Sequence, residues 1–271
     1  MRHRAGWLFA LIIVVSGLAT GFRSQPAAAS SAVLSSALAQ WLAGAPADAG
    51  FRTIVTFNER GGPVEHRELV TLLEAAKDIS RRSSYVVFGG SVPTGVNQDI
   101  YRVLIDIATA GGAKAVLDAD GEALVEGLKA KPFMIKPNRD EVERLLGVEF
   151  ESKSDVARAA LTLGERGIEV VVISLGKQGA IACYKEMIYY ATCPDVKCVS
   201  SIGSGDSMIA GMLHELENGA GIEDALRMGC AAGAATAMSN GADIGTAENA
   251  AELAQQIKIA RIEPSPRANA S

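Results

Sequence analysis

The residues with the most chemistry in their spacing form one run, Ser200-Ser201-Ile202-Gly203-Ser204-Gly205-Asp206-Ser207. It leads into an apolar segment of helical period, Met208, Ile209, Met212, Leu213 and Leu216. A Gly-x-Gly turn opening a helix leaves first-turn N–H groups without acceptors, at the end where the helix dipole is positive. Such a turn takes an anion, and glycine lets a phosphate approach the backbone. An acid at the next position, Asp206, is then placed to take a proton from a hydroxyl that attacks a phosphoryl group. The structural alternative is a turn made by the glycines and a helix capped by Asp206. No G-x-x-x-x-G-K-[ST] occurs, which excludes a P-loop, and Met208 stands where a G-x-G-x-x-G begun at Gly203 needs glycine.

Three further runs have polar or glycine character. Lys136-Pro137-Asn138-Arg139-Asp140-Glu141 sets a cation before an amide and a carboxylate three residues apart, so Asn138 and Glu141 share a helix face. They suit Mg²⁺ held through water, and they equally suit a helix cap with its N3 partner. Ser174-Leu175-Gly176-Lys177-Gln178-Gly179 offers a hydroxyl and glycine amides to a nucleotide phosphate, or a tight turn alone. Gly89-Gly90-Ser91-Val92-Pro93 is the weakest of the three and suits contact with a second ligand.

The surrounding pattern alternates strand and helix. Strands are expected at 51–57, 85–88, 115–117, 133–135 and 170–173, and a hairpin at 180–184 and 187–191. Helices are expected at 65–79, 99–110, 141–146, 154–166, 206–217, 222–238 and 247–260. Strands that are apolar throughout and separated by helices imply a parallel sheet covered on both faces, with ligands beyond the carboxyl ends of the strands. The four runs fall at those ends.

Composition narrows the partners. The 271 residues carry a formal charge of −5 with no block of like charge, which argues against nucleic acid. Four cysteines without C-x-x-C spacing and three histidines argue against zinc, and the thiols read as reduced core residues. Residues 1–30 hold Arg2-His3-Arg4, the apolar run from Trp7 to Ala19 and Ala27-Ala28-Ala29, the pattern of a secretory signal. The run is short for a membrane span of about 20 residues. A strand with a small-residue loop, or a misassigned start of the reading frame, are the other readings of it.

Taken together, Lys136-Pro137-Asn138…Glu141, Ser174-Leu175-Gly176…Gly179 and Gly203-Ser204-Gly205-Asp206 resemble the PfkB, or ribokinase-like, sugar kinases. Gly90-Ser91-Val92-Pro93-Thr94-Gly95-Val96, the run from Leu117 to Leu124 and Ala231-Ala232-Gly233-Ala234-Ala235 are similar to the phosphofructokinase branch, which includes the minor 6-phosphofructokinase, 1-phosphofructokinase and tagatose-6-phosphate kinase. The resemblance runs from about Arg52 to Leu253. It implies a three-layer α/β sandwich with a mostly parallel central sheet, spanning residues 31–262, while the tail at 263–271, with two prolines, is expected to fray. It also implies transfer of the ATP γ-phosphoryl to fructose 6-phosphate or fructose 1-phosphate. On the matched positions, Asp206 is the base, and the amides of Gly203, Ser204 and Gly205 are the anion hole. Asn138 and Glu141 organise Mg²⁺-ATP with Lys136 near the phosphates. Ser174, Gly176 and Gly179 lie along the nucleotide, and the loop at Asn240-Gly241 borders the adenine. Gly90, Ser91 and Arg52 fall on the sugar side.

The family's N-terminal sugar-binding run, G-G-x-G-x-N, is not found in residues 1–50, and alanines at 27–29 stand where glycines are expected. The N-terminal strands and lid are therefore expected to be reduced or missing, and a catalytically impaired nucleotide-binding remnant is the alternative function. An ATP-dependent enzyme is expected in the cytoplasm, with export by residues 1–30 the minority reading. A sugar phosphate is the expected partner, a homodimer the expected assembly, and no membrane role is expected beyond the apolar N-terminal segment.

Overall fold

The computed structural model describes residues 11–14, 64, 66–93, 95–240 and 243–263. The expected strand at 51–57, Arg52, Gly241 and nearly all of the tail at 263–271 lie outside the described residues.

In chain order the elements are β1 (Leu11–Val14), α1 (His66–Ser80), β2 (Tyr85–Gly89), α2 (Ile100–Ala110), β3 (Lys114–Asp118), α3 (Gly121–Leu128), β4 (Met134–Ile135) and α4 (Arg139–Leu146). They continue with α5 (Lys153–Gly164), β5 (Val170–Ser174), β6 (Ala180–Tyr184), β7 (Met187–Thr192), α6 (Ser204–Glu217), α7 (Ile222–Ala237), α8 (Ala247–Ala254) and β8 (Lys258–Ile262). The strands form one sheet in sequence order, parallel from β1 to β5 and antiparallel from β5 to β8. The apolar stretch at Leu11–Val14 thus runs as a strand parallel to β2.

Alternation along each strand feeds two separate cores. Val87, Val116, Met134, Val170 and Val172 face α6, α7 and α8. Val86, Phe88, Leu117, Ile135, Val171 and Ile173 face the other way, onto α2, α3 and α5. This produces three layers with the sheet buried on both faces, as runs such as Val170-Val171-Val172-Ile173 require.

Two expectations need correction and one element was missed. The helix expected over 247–260 stops at Ala254, and Lys258–Ile262 pairs antiparallel with β7. The apolar–charged–apolar run Ile257-Lys258-Ile259 fits a strand, and the open hydrogen-bonding edge of β7 overrides helical propensity there. Helix α3 went unread because glycines stand at Gly121 and Gly127 of an eight-residue segment. The cysteines are not all core residues: Cys183 and Cys230 are buried, Cys193 is half-buried and Cys198 is exposed, each with a free thiol. Among the described residues, no helix is long and apolar enough to cross a membrane.

Because β2 to β5 are parallel and in register (Gly89 beside Asp118, Leu117 beside Ile135, Ile135 beside Val171), their carboxyl ends form one row. Gly90, Asp118, Lys136–Glu141 and Ser174–Gly179 leave the sheet along that row. Helix α6 delivers Asp206 to it from the face formed by α6, α7 and α8.

Candidate functional site

Helix α6 begins at Ser204, two residues before the expected start, because Gly203 is its cap in the left-handed region at φ 76°. Glycine takes that conformation without steric cost, so the chain enters the helix directly after it. Asp206 is consequently a first-turn residue rather than the cap. The Ser204 N–H donates to the Ser201 carbonyl at 3.3 Å, and the Ser207 N–H to the Gly203 carbonyl at 2.9 Å. The amides of Gly205 and Asp206 fall between these and have no carbonyl within the helix to receive them. The Ser204 hydroxyl is buried without a hydrogen-bond partner.

Lys136 lies under this turn. Its side chain is 7% exposed, and Nζ sits 3.2 Å from Asp118 Oδ1. A Cβ on Gly205 would stand 2.9 Å from that ammonium, so glycine is what allows the helix to settle onto the ion pair. Burial works against charge on Lys136, yet the carboxylates of Asp118, Asp206 and Glu141 raise its pKa overall. Asp206 is pushed up to about 6, first by burial and then by the Asp118 charge, with Lys136 pulling the other way. A carboxyl near 6 is ionised at neutral pH and still basic enough to accept a proton, the compromise a general base needs.

At the end of β4 the pairing with β5 continues past the strand: the Ser174 N–H donates to the Pro137 carbonyl, and Asn138 bridges Ser174. Asn138 then caps α4 in a full capping box. Its Oδ1 accepts from the Glu141 N–H at 2.9 Å, and its own N–H donates to Glu141 Oε2 at 2.9 Å. The Asn138 amide also donates to Glu141 Oε1 at 2.6 Å. The cap reading of this pair is therefore present in the structure. Burial, with help from Asp118 and Asp120, holds the Glu141 carboxyl above its ordinary range. Among the described residues no three His, Cys, Asp or Glu side chains are grouped to hold a metal ion. A metal that takes most of its shell from water and phosphate fits such a donor set; one that needs a protein cage does not. Asn138→Ala is expected to lower stability by about 1 kcal/mol through loss of the cap. A thermal melt measures that cost.

The remaining candidates take these positions. Ser174 is half-buried at the end of β5, Gly176 is exposed, and Gly179 is buried. The Gly179 N–H donates to the Gly176 carbonyl and the Leu175 N–H to the Gly179 carbonyl, closing the turn into β6. Gly90 donates its N–H to the Asp118 carbonyl at 3.1 Å, and Ser91 is exposed beside it. Asn240 is exposed in the stretch between α7 and α8. Lys136, Asp206 and Glu141 are thus drawn around Asp118, with Gly90 and Ser174 on neighbouring strand ends.

Two residues of this arrangement escaped sequence reasoning. Asp118 partners Lys136 and perturbs Asp206, and its position after Val116-Leu117 at a strand end was the available signal. Tyr101, fully buried in α2, brings its hydroxyl within 2.8 Å of the Gly89 carbonyl and 2.9 Å of the Gly90 carbonyl, fixing the loop after β2. A lone tyrosine in an apolar helix carries no sequence signal for that role.

Comparison with known proteins gives concordant results. Residues 44–249 match the pfkB family carbohydrate kinase model. The chain is 32% identical over 205 residues to a 1-phosphofructokinase of Bacillus subtilis (strain 168), covering 76% of this chain and 67% of the relative. It is 34% identical over 182 residues to a 1-phosphofructokinase of Borreliella burgdorferi, covering 67% of this chain and 59% of the relative. The chain therefore spans roughly two thirds of the length of these relatives or less. The solved structure of phosphofructokinase-2 from Escherichia coli in complex with fructose-6-phosphate superimposes with a TM-score of 0.67 at 29% identity, covering 78% of this chain and 67% of that one.

Proposed function

Since this chain belongs to the pfkB family of carbohydrate kinases, we propose that it moves the γ-phosphoryl of ATP onto a fructose phosphate, forming fructose 1,6-bisphosphate. Fructose 1-phosphate is the favoured acceptor, because two relatives are named for it, and fructose 6-phosphate is the other candidate. The observation that carries the reading is the pairing of a carboxyl near pKa 6, Asp206, with a first helical turn lying on the buried Lys136 ammonium.

In this reading Asp206 takes the proton of the acceptor hydroxyl, whose oxygen then attacks the γ-phosphorus while ADP leaves. Of the expected anion hole, the Gly203 and Gly205 amides, joined by that of Asp206 and by Lys136, meet the charge on the transferred group, while the Ser204 N–H is held by the Ser201 carbonyl. The Ser204 hydroxyl, buried and unpaired, is a further donor for a phosphate oxygen. Asn138 and Glu141 orient the nucleotide's phosphates, and Ser174, Gly176, Gly179 and Asn240 lie along the nucleotide. Asn138 and Glu141 are the residues that would hold Mg²⁺ through water, and the ion would neutralise charge on the phosphate oxygens. Dependence on ATP places the enzyme in the cytoplasm.

Coupled assays with fructose 1-phosphate, fructose 6-phosphate and tagatose 6-phosphate test the proposal. Turnover with at least one is expected, and none with well-folded protein refutes it. A second reading is a nucleotide-binding remnant, because residues 1–50 hold no G-G-x-G-x-N sugar-binding run. That reading expects Mg²⁺-ATP to raise the melting temperature by mass action without any turnover.

A further inference from the structure

Thr236 is 1% exposed in the last turn of α7, and its hydroxyl is committed in both directions. It donates to Ser207 Oγ at 2.8 Å and accepts the Gly245 N–H at 3.1 Å. A helical threonine ordinarily bonds back to a carbonyl of its own helix. Here the hydroxyl reaches two other elements instead. Ser207, 4% exposed, directly follows Asp206, and Gly245 lies in the stretch that leads into α8.

The surrounding contacts show that this end of α7 is where three segments are tied. The Ala237 carbonyl accepts the N–H groups of Val199 at 2.7 Å and Ser200 at 3.1 Å, holding the run that leads to Gly203. A Cβ on Gly233 would stand 3.0 Å from the Ser204 carbonyl, so α7 also lies directly on the first turn of α6. A Cβ on Gly245 would stand 2.4 Å from the Ala235 Cβ, so the stretch after α7 packs back onto the same turn. Thr236 is the side chain that hydrogen-bonds both sides.

We propose that Thr236 is a positioning residue for phosphoryl transfer, fixing Gly245, at the end of the stretch that leads into α8, against the helix turn that carries Asp206. The proposal rests on the reading above, in which that stretch borders the nucleotide. No other side chain of this shape serves: valine fills the same space but can neither donate to Ser207 nor accept from Gly245, and serine keeps both bonds while losing one methyl.

The test compares Thr236→Val, Thr236→Ser and Ser207→Ala, assayed below their melting temperatures. Leaving the Gly245 N–H buried and unpaired is expected to raise KM for ATP about tenfold and to lower kcat in Thr236→Val. Thr236→Ser is expected to stay within about twofold of the starting protein, since both hydrogen bonds survive. Ser207→Ala keeps the Gly245 bond, so it should lower kcat with little change in KM for ATP. It also keeps the comparison open should the valine variant fail to fold. A lowered melting temperature with unchanged kinetics in Thr236→Val and Ser207→Ala overturns the proposal. If the unmodified protein turns over none of the sugar phosphates, the function proposed above falls, and amide hydrogen exchange reads the coupling instead. Faster exchange in Thr236→Val at Gly245 together with Ser207, whose N–H is bonded to the Gly203 carbonyl, supports the coupling, and faster exchange at Gly245 alone overturns it.

Discussion

Asp206→Asn is expected to lower kcat by about 10³-fold or more while leaving KM for ATP within a few fold, because the amide keeps the shape of the carboxylate but accepts no proton. The loss belongs to kcat because the base acts on the acceptor hydroxyl and not on the nucleotide. Steady-state kinetics at saturating Mg²⁺-ATP measure it, and turnover above about a tenth of the starting rate removes Asp206 from the role of base. The remnant reading has no turnover for this substitution to remove, so kinetics on the starting protein and this one variant separate the two functions.

The same substitution is expected to stabilise the protein at neutral pH. Asp206 titrates near 6 in the fold against 3.8 for the free side chain, so between those values the folded protein binds the extra proton. Its contribution therefore declines as pH rises from about 4 to 6, and above that the buried charge is a standing cost with a ceiling of about 3 kcal/mol. Asparagine removes the charge, so its melting temperature should exceed that of the starting protein at pH 7.5 and approach it at pH 4.5. In the unmodified enzyme the acid limb of kcat/KM is expected close to pH 6, where Asp206 loses its proton. Equal melting temperatures across this range would show that Asp206 is better solvated than its position in the first turn indicates.

How far the sequence could be read follows from the range of each interaction. The parallel half of the sheet was legible because Val86-Val87-Phe88 and Val170-Val171-Val172-Ile173 are apolar on both faces, and few other elements tolerate that. Asn138 and Glu141 were legible as a pair because a capping box is local, with both partners inside one helical turn. Their alternative role as metal-orienting groups is not written in the spacing, since both roles need the same two residues three apart. The β8 strand was illegible because its partner, β7, lies far back in the chain, and only that open edge converts Lys258–Ile262 from helix to strand. Asp118 was illegible as a site residue for a similar reason. Its weight comes from Lys136 and Asp206, brought together by strand register and by the docking of α6, and neither contact is visible from neighbours in sequence. Gly205 shows the same limit in another form. As a sequence feature it reads as phosphate access, whereas the structure adds a steric demand from the Lys136 side chain directly beneath it.

Lys136→Met is expected to lower kcat/KM by about 10²- to 10³-fold, the loss typical of one preorganised donor at a developing charge. Methionine follows the lysine stem closely, so packing under Gly205 is retained and the effect isolates the ammonium. Lys136 pulls the Asp206 pKa down, hence its removal should move the acid limb of the pH–rate profile to higher pH. Asp118→Asn should move the limb to lower pH, because the Asp118 charge pushes Asp206 up. Stability separates the structural from the catalytic part. Stripping one partner from a fully buried ion pair costs about 3–5 kcal/mol, and Asp118, at 21% exposed, keeps enough water to lessen that penalty. Adding Asp118→Asn to Lys136→Met removes the stranded carboxylate and should recover most of the lost stability without recovering turnover. If the double variant regains both, the pair is a structural strut and Lys136 has no part in meeting the transferred phosphoryl. If the single methionine variant keeps its kcat/KM and its acid limb, the ammonium neither tunes Asp206 nor touches the phosphates.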